Sequence, residues 1–489
     1  MPEHVIRLRW PKIGAFESIE EFERAMSSRG KIIESFLEER SRDILPSAQV
    51  SEGAIPAADG YDPTEFVLLD GGAIPAPDGF DPTEFLSPDR PADVEDYKSG
   101  RGVWEVNATE AFEDAVNELV ETNPDLVNPD TRPIGFDMPE PRQVELADGG
   151  AGPMGIGDHL NRLGIASSLY GQSDGSGVRI SIIDSGLDRK HSEFKKAAVL
   201  VRCSYDWWRI QDPQPGKVVP IKLSGKKFET RHYHGTAVAG LVAGASSGVA
   251  PGASLIIHNV WYKLSKKDAK KLHYKDQKGR LHKVEVTIAR IQPALVYSAF
   301  WKADIIVMSF STKGHDPCFR DEISGMEESD KCLLVAASGN SGPGTCGSPG
   351  DYRAVLSVGA TDWSGQPWKD TSVAHIEGAN TSCLKQDVPD IWAPGVGLRV
   401  PVPKGIDPSG YIVRSGTSFA APLVAGVAAL VLGWYRNNGK PDIPATVLRE
   451  HLLDTADDIT LPPELGGGTS KRLNATEAVK RLKPVFPTS

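Results

Sequence analysis

Arg179-Ile180-Ser181-Ile182-Ile183-Asp184-Ser185-Gly186 is the stretch on which the fold of this chain turns. Its isoleucines fall on both faces of an extended segment, the pattern of a buried strand in a parallel sheet rather than of a strand wetted on one side. The run ends by delivering an aspartate into a glycine turn. Three more short apolar runs follow, Ile305 to Met308, Leu333 to Ala336 and Val355 to Val358, with helical stretches between them. This alternation predicts an α/β architecture, a parallel sheet with helices on both faces. Such sheets gather functional groups at the carboxyl ends of their strands, which makes Asp184 the first candidate.

Two further segments stand at element ends. His232-Tyr233-His234-Gly235-Thr236-Ala237-Val238-Ala239-Gly240 opens a helix of small residues that can pack closely. Ser415-Gly416-Thr417-Ser418-Phe419-Ala420-Ala421-Pro422 places Ser418 at the start of an apolar helix. Taken singly, these are a turn, a histidine and a helix cap. Chemistry joins them: a serine hydroxyl is a poor nucleophile until a base takes its proton, and histidine is the side chain whose ordinary pKa suits that task. An aspartate would hold the imidazole in one tautomer. A helix start would favour negative charge developing beside Ser418.

The order Asp184, His234, Ser418, each with its flanks, resembles the subtilisin-like serine proteases, the subtilases of peptidase family S8. The resemblance runs from about Ile165 to Leu482, roughly two thirds of the chain, and includes Gly248-Val249-Ala250-Pro251-Gly252, Ile306-Val307-Met308-Ser309, Ala336-Ala337-Ser338-Gly339-Asn340-Ser341-Gly342 and Trp392-Ala393-Pro394-Gly395. It implies a subtilisin-like fold and a serine endopeptidase that hydrolyses peptide bonds through an acyl-enzyme, with protein or peptide as substrate. Asp184, His234 and Ser418 would be its catalytic residues and Asn340 its side-chain oxyanion donor. Ser309-Phe310-Ser311 and Ala337-Ser338-Gly339 would line the substrate, the former as a strand pairing with it. The resemblance implies no required cofactor and no metal ligand. The loop Leu241 to Ser247 is too short for the family's strong calcium site, which leaves room only for weak calcium sites elsewhere. His191, His232 and His375 lack the spacing of metal ligands.

Length and charge extend the picture outward. The chain has 489 residues, 40% hydrophobic and 24% charged, and a formal net charge of −11. Residues 1–150 hold 33 Asp and Glu against 13 Lys and Arg, whereas the remainder holds 32 against 41. An acidic front and a basic back would attract one another. The front reads as a small α+β unit over residues 1–127. Its strands are predicted at Val5 to Trp10, Val103 to Val106 and near Leu126-Val127; a capping box at Ser18 to Glu21 opens one helix, and Thr109 caps a second. An inserted repeat, Gly53 to Phe66, returns at Gly72 to Phe85. A Pro, Gly and Asp-rich linker over 128–157 then precedes a peptidase domain over 158–489. The front also resembles the family's inhibitory propeptides, mainly at Val103 to Val127, which implies an intramolecular partner docked on the catalytic domain, a zymogen, and a linker open to cutting in cis; the alternative is a permanent regulatory or partner-binding domain.

Several features depart from simple relatives or narrow the role. Trp207-Trp208-Arg209 and a Pro/Lys-rich stretch lengthen the segment between Asp184 and His234. Nine Lys or Arg stand against Asp268 and Asp276 between Lys263 and Lys283, either as a solvated loop or as a basic wall that favours acidic peptides or docks the acidic N-terminal region. The acidic chain as a whole argues against nucleic acid. The longest apolar run, Leu423 to Leu432, is shorter than a bilayer span, so no membrane partner is expected. The start lacks an export signal, and five cysteines cannot all pair; reduced thiols in a cytoplasmic protein are the simple expectation, with one or two bridges as the alternative. A dedicated processing protease for one partner protein and an idle binding scaffold are the competing functional readings.

Overall fold

The computed structural model describes residues 155–482 apart from 166, 207–221, 224–231, 264–283, 287, 313, 317–318, 375–382 and 386, and, ahead of them, residues 3–8, 103–107, 118–119, 122 and 127–128. In the front, β1 (Glu3–Leu8) pairs antiparallel with both β2 (Val103–Asn107) and β3 (Val127–Asn128). The repeat at 53–85, both helices of the front save Glu118, Leu119 and Thr122, and the linker up to residue 154 lie outside the described residues.

The main sheet is built on β4 (Arg179–Asp184), β5 (Ala198–Asp206), β6 (Lys222–Leu223) and β7 (Ser254–Asn259). A separate antiparallel pair, β8 (Trp261–Lys263) and β9 (Val284–Val286), brackets the basic segment, whose residues 264–283 lie outside the described residues. The sheet continues with β10 (Ile305–Met308), β11 (Leu333–Ala337), β12 (Val355–Thr361) and β13 (Ile391–Pro394). After a hairpin of β14 (Leu398–Pro401) and β15 (Tyr411–Arg414), β16 (Asp457–Thr460) and β17 (Thr469–Arg472) complete the edge. Strand order is β16-β17-β13-β12-β11-β10-β4-β7-β5-β6, parallel except at the two ends. This is the doubly covered α/β sheet that the apolar runs predict.

The helices of eight or more residues that cover it are α3 (His234–Ala243), α4 (Ile288–Phe300), α5 (Arg320–Ser329), α6 (Thr417–Asn437) and α7 (Ala445–Asp454); α1 (Asp158–Arg162), α2 (Ser167–Tyr170) and α8 (Ala475–Lys480) are short. Strand periodicity explains the layers. On β10, Ile305 and Val307 join the core under α3 and α6, while Ile306 and Met308 join the core under α4 and α5. Both faces are apolar because both are covered.

Two readings are refined by the structure. The apolar run Leu423 to Leu432 belongs to the 21-residue α6, which by length and composition could cross a bilayer; 94% of its apolar window is instead buried, as the central core helix of this domain. Its apolarity comes from being surrounded by the sheet and α3, not by lipid. Of the two cysteine readings, the one that allows a bridge holds: Cys346 and Cys383 form a disulfide. Pairing was invisible in the sequence because 37 residues separate the two, and only the fold brings them together. Cys332 is a free, buried thiol.

Candidate active site

β4 is the strand at which the order reverses, with β10 on one side and β7 on the other. Its last residue, Asp184, is 1% exposed. The Asp184 carboxylate accepts from the backbone N–H of Ser185 at 2.7 Å and from His234 Nδ1, which lies 2.9 and 3.0 Å from its two oxygens. A carboxylate on Nδ1 fixes the proton there and leaves Nε2 as an acceptor.

His234 reaches that carboxylate because the start of α3 is pressed onto the end of β4. The Ser185 hydroxyl accepts from Gly235 N–H at 2.8 Å and donates to the His232 carbonyl at 3.3 Å. Position 235 must be glycine, since a Cβ there would overlap the Gly186 carbonyl. His232 Nδ1 accepts from the backbone N–H of His234 at 3.3 Å, and its ring stacks on Tyr233. Burial, then the neighbouring His234, push the His232 imidazole down to about 4.

Ser418 is the second residue of α6, 5% exposed. α6 packs against α3, and the ring of Phe419, next to Ser418, lies 5.5 Å from the His234 ring. The third partner, Asn340, follows β11. Its Oδ1 accepts from the backbone N–H of Thr417 and from the Thr417 hydroxyl, both at 2.9 Å. With the carbonyl end of the amide so occupied, its NH₂ end is the part that can donate elsewhere. Thr417 is the functional neighbour that sequence reasoning missed; it stands inside the quoted Gly-Thr-Ser motif, but nothing in the sequence reveals a partner 77 residues away.

The proposed substrate-lining residues fall on two adjacent strand ends. Ser309, Phe310 and Ser311 continue β10 outside any ladder, with Phe310 sunk in the α4/α5 core, so this residue can offer a substrate its backbone but not its ring. Ala337 ends β11, and Ser338 and Gly339 follow it. Gly339 has φ +112°, and a Cβ there would stand 2.7 Å from Ser372 Oγ and 3.1 Å from Ser311 Oγ. A bare backbone is therefore required between those hydroxyls. Among the described residues, Ser309 Oγ and Ser338 Oγ are buried with no hydrogen-bond partner.

Among the described residues, no group of three or more His, Cys, Asp or Glu is arranged to hold a metal ion. At the short loop after α3, calcium would need several oxygen ligands, and the buried carboxylate there is already engaged in hydrogen bonds. There the buried Glu193 accepts from the N–H groups of Ser246 and Ser247 at 2.7 and 3.2 Å and from the Tyr411 hydroxyl at 2.6 Å. His191 contributes its Nδ1 to the Glu193 N–H and its Nε2 to the Gly410 carbonyl, a structural role. His375 lies outside the described residues.

Comparison with known proteins gives the family. The model of the subtilase family, Peptidase S8, matches residues 175–478. An intracellular serine protease of Paenibacillus polymyxa is 26% identical over 65% of this chain and 85% of its own. The subtilisin-like protease PopC of Myxococcus xanthus is 29% identical over 58% of this chain, and alkaline elastase YaB of a Bacillus species 28% over 60%. The match spans 56% of PopC and 63% of YaB, less than two thirds of either. Among solved structures, the prenylagaramide maturation protease PagA superposes with a TM-score of 0.48 at 24% identity, over 65% of this chain and 97% of that one. On the family match, which takes in more than half of its residues, the chain belongs to the subtilase family, Peptidase S8, of serine-type endopeptidases.

Proposed function

We propose that this chain cleaves peptide bonds through an acyl-enzyme on Ser418, and that residues 1–127 restrain it. His234 Nε2 takes the Ser418 proton as Oγ attacks the peptide carbonyl, then hands that proton to the leaving amine. Asp184 keeps the imidazole oriented and stabilises the imidazolium. The NH₂ of Asn340 and the N-terminal N–H groups of α6 receive the oxyanion. The peptide lies between Ser309-Phe310-Ser311 and Ala337-Ser338-Gly339.

The observation that carries this reading is the buried Asp184 carboxylate on Nδ1 of a histidine whose helix packs against the one bearing Ser418. An idle scaffold has no need of that arrangement, nor of an asparagine amide held by both donors of Thr417. The test is hydrolysis of an internally quenched peptide mixture by wild type, Ser418→Ala and Asp184→Asn. Turnover by wild type, and its loss in both variants with their melting unchanged, supports the reading. Equal turnover by wild type and Ser418→Ala removes it.

The restraint rests on charge and on the strand pattern of the front. A region carrying 33 acidic against 13 basic residues precedes one with the opposite bias. The remaining finer readings, a single dedicated protein substrate and a taste for acidic peptides, differ in a cleavage profile: one dominant target supports the first, many acidic sites the second.

A further inference from the structure

Arg414 ends β15, four residues before Ser418. Its guanidinium lies 5.4 Å from the centroid of the Tyr233 ring, donates from Nε to the Tyr233 hydroxyl at 3.3 Å, and donates from Nη1 to the Val413 carbonyl at 2.8 Å. Tyr233 in turn precedes His234, their rings 6.4 Å apart. The side chain is half-buried, and among the described residues no carboxylate pairs with it. By contrast Arg436, Arg449 and Arg472 each meet an aspartate oxygen within 3.0 Å. A partly desolvated guanidinium favours planar, two-oxygen acceptors, and none is supplied here by the described protein.

The chemistry sets which part of a substrate would pass this arginine, an inference that rests on the catalytic reading above. Across Ser418, the carbonyl oxygen of the scissile bond faces Asn340. Its nitrogen must face His234, which protonates it. Arg414, held through Tyr233 on the His234 flank, would therefore meet residues on the leaving-group side of the scissile bond, away from the β10 and β11 ends proposed to hold the acyl part.

We propose that Arg414, positioned by Tyr233, selects substrates carrying Asp or Glu on the leaving-group side of the cleaved bond. The alternative is that the guanidinium serves only to pack on the Tyr233 ring.

Deacylation run in competition separates these whatever the natural cleavage site. Full-length wild type is given a peptide p-nitrophenyl ester as acyl donor, with glutamic acid α-amide, glutamine amide or lysine amide as added nucleophile. The ester bond from the acyl carbon to Ser418 Oγ breaks as the amine nitrogen bonds to that carbon; the amine proton passes through His234 to Oγ. The ratio of aminolysis to hydrolysis reports binding on the leaving-group side alone. The glutamic acid amide is expected to exceed the glutamine amide by roughly three- to tenfold, the span between an exposed ion pair and a charge-assisted hydrogen bond. Arg414→Gln should level the two, and Arg414→Glu should shift preference to the lysine amide. Equal capture of both by wild type, or a glutamate preference that survives Arg414→Gln, overturns the proposal and leaves the Ser418 reading standing. A chain that forms no acyl-enzyme, and takes no fluorophosphonate, overturns that reading and this inference together. Should Arg414→Gln fold poorly, Arg414→Lys must keep part of the preference and Arg414→Met must lose it; a preference unchanged in Arg414→Met overturns the proposal, as does its absence from wild type.

Discussion

Ser418→Ala removes one oxygen from a side chain at the start of a helix whose buried residues beyond Thr417 and Ser418 are almost all apolar. Turnover should fall by about 10⁶, the size known for this residue's loss in the family, while the melting temperature stays within a few degrees. A cooperative melt displaced by ten degrees or more would mean that the hydroxyl is structural. Asn340→Ala should lower kcat by about 10²- to 10³-fold, again the magnitude known for this donor in the family, with KM little changed because the interaction belongs to the transition state. Thr417→Val tests the arrangement peculiar to this site. It deletes the hydroxyl that donates to Asn340 Oδ1 and accepts from the Gly339 N–H at 3.3 Å but keeps the backbone donor, so the fall in kcat should be smaller than for Asn340→Ala. An effect as large as that of Asn340→Ala would show that Thr417 does more than hold an amide.

Among elements, α3 and the strand end beneath it carry the tightest steric requirement. Gly235→Ala would drive a methyl into the Gly186 carbonyl, and Gly240→Ala one into the Pro401 ring. Each should cost about 1–3 kcal/mol, the usual penalty of overpacking. Gly235→Ala should also lower kcat, because it pushes His234 off Asp184, whereas Gly240→Ala should spare activity. Denaturant melts beside peptidase assays would show the split, and equal activity loss in both would refute it. The same elements show how much of the fold and site is legible in the sequence. β4, β10, β11 and β12 stand out because strands covered on both faces read as nearly unbroken apolar runs in their interiors, and the small residues of His234 to Gly240 signal close packing. Thr417 against Asn340, Cys346 against Cys383, and Glu193 under the loop after α3 were not legible. Each joins positions far apart in the chain through side chains whose types are ordinary, so only the assembled sheet reveals them.

For the whole molecule, buried histidines make the fold acid-sensitive. Burial lowers His258 to about 3 and depresses His159, and His232 sits near 4. In the unfolded chain the same groups take protons near pH 6.5. The unfolded state therefore binds more protons as pH drops below that value, so stability is fully present above about pH 6.5 and is lost progressively toward pH 3. His258 alone weakens the fold by up to about 1.4 kcal/mol per unit in that window. Melting temperature should fall from pH 7 to pH 5, and an unchanged one would contradict the neutral, buried imidazoles. The front of the chain belongs to this scale too. Deleting residues 1–127 from folded protein should raise hydrolysis of small peptides several-fold, with the effect shrinking in high salt, as expected of an acidic region held by a basic one. Unchanged activity would mean that the front is a separate domain with no hold on the site.

The most direct test of the account is fluorophosphonate treatment of the full chain and of Ser418→Ala, read by intact mass and peptide mapping. The account predicts one adduct in the wild type, on Ser418, and none in the variant. No adduct on the wild type, or one on another residue, would contradict it.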